Sequence, residues 1–281
     1  MASGYQQAVE PRPEQPQPPP DAPSREPDWA WWFPFAAVLA GLAGSLLVGG
    51  ILLGIVHATG SKAKVDSPGL NIANTVILDL LVVAACFFTA SLAGRPRLWQ
   101  FGLRRAPLGV ALAAALVGLI IFFGFEGAYS SLVREKNPQQ IAKDLGTDLS
   151  TLALIGGAIA VVAVAPICEE IFFRGFLFRV LRLRMPLWPA ALIDGVIFGA
   201  VHGSLVIFPV LAVLGVIFCV VYERTGSLFP TIAMHSLNNM LAFGTTANNG
   251  WPASLAVGGV VLAGCLIVPR LMAPAPRPAA A

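Results

Sequence analysis

The sequence predicts an all-α, polytopic membrane helix bundle of about eight transmembrane helices that enclose an intramembrane polar cavity. Of the 281 residues, 56% are hydrophobic and only 12% are charged, whereas soluble domains carry about 25% charged residues. Several apolar runs reach the length of about 20 residues that a helix needs to cross the hydrocarbon core. Other apolar segments carry histidine, glutamate and asparagine, which helices inside a membrane tolerate when they surround a cavity.

The helices follow from the apolar runs in chain order. One run is too long for a single crossing, and His202-Gly203-Ser204 followed by Pro209 divides it, since glycine and proline interrupt helices. Two apolar segments with polar residues complete the set, a long one with Glu169 and a short one with His235. The predicted helices span residues 31–57, 72–94, 107–130, 151–181, 188–202, 205–222, 228–243 and 253–271.

Composition divides the chain into four parts. Residues 1–30 hold eight prolines and five acidic residues and are predicted to be a disordered, proline-rich tail, not a secretory signal. Residues 31–148 hold three helices with their loops, and residues 149–245 form a core that carries the polar membrane residues. Residues 246–281 hold the last helix and a short disordered tail.

The basic residues predict the orientation in the membrane. With eight crossings, the tails and the loops after helices 2, 4 and 6 share one side and carry twelve arginines, against five lysines and arginines in the opposite loops. The positive-inside rule therefore predicts cytoplasmic termini, and we expect an integral protein of a bacterial plasma membrane. The net charge is only +3, and the basic residues are scattered between apolar runs. Both observations argue against a nucleic-acid partner.

Three tryptophans lie at the start of the first predicted helix. Trp29, Trp31 and Trp32 stand directly before a long apolar run. Tryptophan is enriched where a membrane helix meets the headgroups. We therefore expect all three to form an interfacial aromatic belt.

Two adjacent acids form the first group of ionisable residues at membrane depth. Glu170 and Arg174 are four residues apart with the acid first, which favours an ion pair on a helix. Glu169 is rotated by about 100° from Glu170, so Arg174 cannot serve both acids equally well. A carboxylate without a cation suits a general base, although Glu169 could also join a second salt bridge. Pro166 predicts a break before this helix.

Two more groups follow on later helices. Phe198 and His202 share one helix face, and His202 is either a partner for water or an interfacial residue. His235 and Asn239 also share a face, and together they offer hydrogen-bond donors suited to an oxyanion. The alternative for His235 and Asn239 is an ordinary polar contact between helices, worth about 1 kcal/mol.

The order Glu-Glu-x-x-x-Arg, Phe-x-x-x-His and His-x-x-x-Asn resembles the CAAX-protease and bacteriocin-processing family. The motifs are Glu169 to Arg174, Phe198 to His202, and His235 to Asn239, and the resemblance covers roughly residues 150–245. This family comprises intramembrane endopeptidases related to the Ras-converting enzyme, also called the Abi family. The resemblance implies an eight-helix fold, a watery cavity inside the membrane and the hydrolysis of a peptide bond, with residues 149–245 as the catalytic core.

The resemblance also implies a role for each motif residue. Glu169 would activate water with help from His202, and His235 and Asn239 would form the oxyanion site. Glu170, Arg174 and Phe198 would support the site. No cofactor is required in this scheme, although two histidines and a glutamate could supply a zinc shell. That alternative ligand set is Glu169, His202 and His235.

The expected partners are a peptide or membrane-protein substrate and the lipid bilayer. Two functions of other classes remain open. The protein could be a non-catalytic membrane scaffold or bacteriocin-immunity protein, for which Glu169→Ala would be silent. It could also be a transporter with a proton relay, although the sequence has no internal repeat of the kind that many transporters share.

Overall fold

The computed structural model describes residues 27–60, 68–133 and 150–272. Within these ranges the chain forms eight main helices, and a short 3₁₀ helix, Leu98–Phe101, precedes α3. The main helices are α1 (Phe33–Ala58), α2 (Pro68–Ser91), α3 (Leu108–Leu132), α4 (Thr151–Arg182), α5 (Leu187–Ala200), α6 (Phe208–Thr225), α7 (Phe229–Thr246) and α8 (Gly250–Leu271). The predicted all-helical fold is confirmed, and each of the eight predicted segments corresponds to one helix.

Six of the described helices are long and apolar enough to cross a membrane, namely α1, α2, α3, α4, α6 and α8. The helix α5 is shorter, with 14 residues. The helix α7 is continuous over 18 residues but carries the polar side chains of His235, Asn238 and Asn239. The protein is therefore a polytopic helical membrane protein in which short or polar helices complete the bundle.

The helix α4 occupies the centre of the bundle. Residues 170–180 of α4 are buried without interruption, and α4 packs against α2, α5, α7 and α8. The remaining helices associate largely as pairs, α1 with α2, α5 with α6, and α7 with α8. Because α4 carries both acids of the first motif, this arrangement brings the polar residues of α5 and α7 toward them.

The sequence predicted a break before the acids at Pro166, but α4 continues through this point. The backbone instead widens into a π-helical turn over Ile159–Val164, and Ala165 and Pro166 begin the next α-helical segment. A wider turn accommodates a proline, which offers no N–H and crowds the carbonyl of the preceding turn. A second π-helical segment, Phe173–Phe178, follows the acids.

The predicted division between α5 and α6 is confirmed. The helix α5 ends at Ala200, Gly203 adopts a left-handed conformation with φ of 69°, and Pro209 lies in the first turn of α6. The two helices then pack closely, because a Cβ atom added to Gly195 would lie 2.6 Å from the carbonyl oxygen of Ala212. This close approach places Asp194 of α5 beside the core of the bundle.

The aromatic belt is only partly as predicted. Trp31 and Trp32 are exposed, but Trp29 is 2% exposed and its ring lies 4.8 Å from that of Phe101 and 5.0 Å from that of Phe176. Trp29 therefore belongs to the protein core, because the segment before α1 folds back onto α4. The predicted disordered tails, residues 1–26 and 273–281 in particular, lie outside the described residues.

Candidate active site

A buried ion cluster lies behind the first motif. Arg174 donates a hydrogen bond of 2.9 Å to Glu170 and lies 3.6 Å from a carboxylate oxygen of Asp194. Arg174 also donates to the carbonyl of Gly215 at 3.0 Å, and all three charged side chains are fully buried. The predicted Glu170–Arg174 pair is thus present, and Asp194 is an additional member, held also by the thiol of Cys219 at 3.2 Å.

Aromatic rings surround the guanidinium group of Arg174. Its central carbon lies 4.5 Å from the ring centroid of Phe198, 5.0 Å from that of Phe218 and 5.5 Å from that of Phe173. A desolvated guanidinium is attracted to the faces of aromatic rings by about 2 kcal/mol in favourable cases. Phe198, which the second motif singled out, is therefore a wall of the ion cluster.

His235 connects the ion cluster to Glu169. Its Nδ1 lies 3.1 Å from Glu170 and its Nε2 lies 3.9 Å from Glu169, so one ring faces both acids. His235 is 2% exposed, and Phe198 packs edge-on against it at 5.6 Å between ring centroids. The bond to Glu170 orients the imidazole ring, as an outer carboxylate commonly does for an active-site histidine.

Glu169 faces a cavity of about 430 Å³. The side chain of Glu169 is 23% exposed whereas that of Glu170 is fully buried, so the two adjacent acids differ in access. His202 and Asp79 line the same cavity. Its other walls are Val38, Leu42, Leu78, Val82, Cys168, Phe172, Phe173 and Val201, which come from α1, α2, α4 and the end of α5.

His202 is oriented by a backbone contact. Its Nδ1 lies 2.7 Å from the carbonyl oxygen of Phe198 and therefore carries the proton of that hydrogen bond. In the neutral ring this leaves the lone pair on Nε2, where it can accept a proton from water. His202 lies two residues beyond the end of α5 and is exposed.

Asn239 lies one turn from His235 and contacts α4. Its amide donates a 2.9 Å hydrogen bond to the carbonyl of Val161, and its amide oxygen accepts from Asn238 at 3.3 Å. Ser236 donates to the neighbouring carbonyl of Val162 at 2.7 Å. Both carbonyls belong to the π-helical turn, so the polar face of α7 is complementary to the irregular backbone of α4.

The three candidate zinc ligands have different surroundings. Within the part of the chain that the structure describes, no group of three or more His, Cys, Asp or Glu side chains is placed to hold a metal ion. His235 already directs Nδ1 to Glu170, and only Glu169 and His202 of the three candidate ligands line the cavity.

The sequence therefore identified most of the side chains that meet here but missed two acids. Glu169, Glu170, Arg174, Phe198, His202 and His235 come together, while Asn239 is anchored to the α4 backbone beside them. The two acids are Asp79 and Asp194, and neither belongs to the three motifs. Their position in apolar helices was the available signal, because a carboxyl group at membrane depth is costly and commonly functional.

Comparison with known proteins agrees with this description of the core. Residues 151–241 match the family described as type II CAAX prenyl endopeptidase Rce1-like. A Bacillus subtilis (strain 168) protein named "Putative membrane peptidase YdiL" is 27% identical over 139 residues, which cover 47% of this chain. The match spans 55% of that relative, about half of its length. No solved structure gives a significant match.

The matched segment contains all three motifs, from Glu169 in α4 to Asn239 in α7. It also contains the complete ion cluster, since Arg174, Asp194 and Gly215 lie within it. The resemblance to the CAAX-protease and bacteriocin-processing family is thus confirmed for residues 151–241, the part of the chain that carries the three motifs and the ion cluster.

Proposed function

We propose that this protein is an intramembrane endopeptidase in which Glu169 activates a water molecule for attack on a peptide bond. The observation that carries the proposal is the different environment of two adjacent acids. Glu170 is fully buried and bound to Arg174, whereas Glu169 is partly exposed to the cavity and has no arginine partner among the described residues. An acid that keeps its proton-accepting capacity at the edge of a cavity is suited to general-base catalysis.

In the proposed reaction, Glu169 takes a proton from water, and the resulting hydroxide attacks the peptide carbonyl. His202 assists by orienting the water through Nε2, because its Nδ1 is held by the Phe198 carbonyl. Both side chains line one cavity, so a bound peptide can meet them together. The cavity walls are mostly apolar, which favours a membrane-embedded or otherwise apolar peptide segment as substrate.

The developing oxyanion would be stabilised from α7. The contact of His235 Nδ1 with Glu170 leaves Nε2, which lies 3.9 Å from Glu169, to face the oxyanion that forms beside Glu169. A proton on Nε2 would stabilise that oxyanion. Asn239 uses one amide N–H for the Val161 carbonyl and retains a second for the oxyanion. The pair Glu170–Arg174 supports the site by holding His235 in place.

We further propose that the protein acts with both termini in the cytoplasm of a bacterial cell and needs no cofactor. The distribution of basic residues supports this orientation. The match to the Rce1-like family supports a proteolytic activity, without specifying its mechanism or substrate. The substrate is then a peptide or a membrane protein that reaches the cavity from the bilayer.

The test is a comparison of new peptide ends in host cells that carry wild type or Glu169→Gln. The substitution keeps the size of the side chain and removes its basicity, so the expected result is the loss of specific ends. Glu126→Gln is the matched control. Glu126 is a half-buried carboxyl on α3 outside the cavity lining, and its replacement should leave every cleavage product in place.

Equal amounts of each variant in the membrane must be verified by immunoblot. If wild type and Glu169→Gln yield identical peptide ends while both complement a deletion phenotype, the proteolytic proposal is wrong. That outcome would favour the non-catalytic scaffold or immunity function.

A further inference from the structure

Asp79 of α2 is a second acid in the candidate active-site cavity. It lines the same cavity as Glu169 and His202, and it lies within electrostatic range of Glu169 and His235. The helix α2 packs directly against the segment of α4 that holds the acids. Asp79 comes from outside residues 151–241, the segment that the family match covers.

The surroundings of Asp79 give no structural reason for a carboxyl group at this position. Its Oδ2 atom is buried and has no hydrogen-bond partner among the described residues. An ionisable group at membrane depth costs at least about 2.5–3.5 kcal/mol, and no ion pair within the described part of the chain offsets that cost for Asp79. Arg174, the cation of the cluster, is occupied by Glu170 and Asp194.

Two carboxyl groups that face one apolar cavity do not both ionise readily, because their charges repel and are poorly solvated. The groups around them decide which one keeps a proton. Glu169 has His235 at 3.9 Å, while His202 and Cys168 line the cavity shared by both acids. His235 can provide a counter-charge for Glu169, whereas Asp79 has no ion-pair partner among the described residues. A carboxyl group without a counter-charge in an apolar cavity is more easily buried with its proton than as an ion. In many active sites, one of two neighbouring acids is protonated and acts as the general acid, while the other is ionised and acts as the general base.

We propose that Asp79 is the general acid of the reaction and donates its proton to the leaving amine. This inference rests on the proposed endopeptidase function. Glu169 accepts a proton from water as the hydroxide forms a bond to the carbonyl carbon. As the carbon–nitrogen bond breaks, the Asp79 proton passes to the amine nitrogen, and the products are a carboxylic acid and an amine. The proton on Glu169 then returns to Asp79, so no other reactant is needed.

The experiment compares two leaving groups. Purified full-length protein in lipid nanodiscs is given a quenched-fluorescence peptide whose sequence comes from the wild-type cleavage sites in cells. The peptide is made once with an amide and once with an ester at the scissile bond. A leaving amine needs a proton far more than a leaving alcohol, so a general acid matters mainly for the amide.

Asp79→Asn keeps the shape of the side chain but cannot transfer its proton. The expected result is a fall in kcat of about 100-fold or more on the amide, with a much smaller fall on the ester. Glu169→Gln should lose both activities, and Glu126→Gln should keep both. Thermal unfolding of each variant verifies that the fold is intact.

Equal losses on amide and ester, or no loss on either, would overturn the role of Asp79 while leaving the endopeptidase function in place. If wild type cleaves neither peptide, or if no cleavage site is found in cells, the proposed function fails and the role of Asp79 fails with it.

Discussion

Replacement of Arg174 by methionine should destabilise the protein more than any other single loss of charge in the ion cluster. The substitution preserves much of the apolar volume among Phe198, Phe218 and Phe173. It removes the hydrogen bonds to Glu170 and to the Gly215 carbonyl, and it removes the cation from beside Asp194.

The magnitude follows from burial. Breaking a buried ion pair by removing one partner costs about 3–5 kcal/mol, because the remaining charge is left without compensation. Here two acids lose the same cation, and both are fully buried. We therefore expect Arg174→Met to lower the free energy of unfolding by at least about 3–5 kcal/mol.

Two controls separate this effect from the general cost of losing a charge. Glu170→Gln leaves Arg174 with Asp194, so a smaller loss of about 1–3 kcal/mol is expected. Arg182→Met removes an ion pair with Glu223 in which the side chains are 29% and 31% exposed. Such a pair is worth about 1 kcal/mol or less.

Unfolding in mixed micelles with increasing SDS, followed by tryptophan fluorescence and circular dichroism, measures these differences. The double variant Glu170→Gln with Arg174→Met should recover part of the stability, since one acid no longer needs the cation. An Arg174→Met protein as stable as wild type, or a loss no larger than that of Arg182→Met, would refute the description of the cluster.

Further predictions concern packing and orientation. Gly195→Ala should lower thermal stability because the added methyl group meets the α6 backbone, whereas Gly124→Ala, which has open space around it, should keep or raise thermal stability. Differential scanning fluorimetry compares the two variants, and equal unfolding temperatures would contradict the close α5–α6 contact. Ser236→Ala should cost about 1 kcal/mol in the same SDS titration, since the Val162 carbonyl loses its donor, and an unchanged midpoint would show that this bond contributes nothing. His202→Gln should reduce peptide cleavage in nanodiscs while leaving the unfolding temperature unchanged, and full activity would exclude His202 from the reaction.

Local patterns in the sequence predicted the helices and the first ion pair. Apolar runs mark the helices because a membrane span must satisfy its backbone internally. Glu170 and Arg174 meet because residues four apart share a helix face. The turn at Gly203 was equally visible, since its left-handed conformation favours glycine. Each of these features depends on residues close together in the chain.

Contacts between helices could not be predicted in the same way. Asp194 of α5 joins the ion cluster through its contact with Arg174 of α4, and the neighbouring Gly195 lets α5 approach α6 closely. Trp29 appeared suited to the membrane interface, but the chain before α1 folds back and buries it against the core. Neither outcome has a local signature, because each depends on how distant segments pack.

The sequence by itself determined that the protein is a helical membrane protein and that its polar membrane residues are concentrated in one core. It also determined the family resemblance, which three motifs carry. Only the tertiary structure decided which acid faces the cavity and which is buried, because burial depends on the helices that surround α4. It also placed Asp79 of α2 in the cavity with Glu169, more than 80 residues away in the chain. Helix periodicity predicts which side chains share a face, whereas packing decides what that face meets.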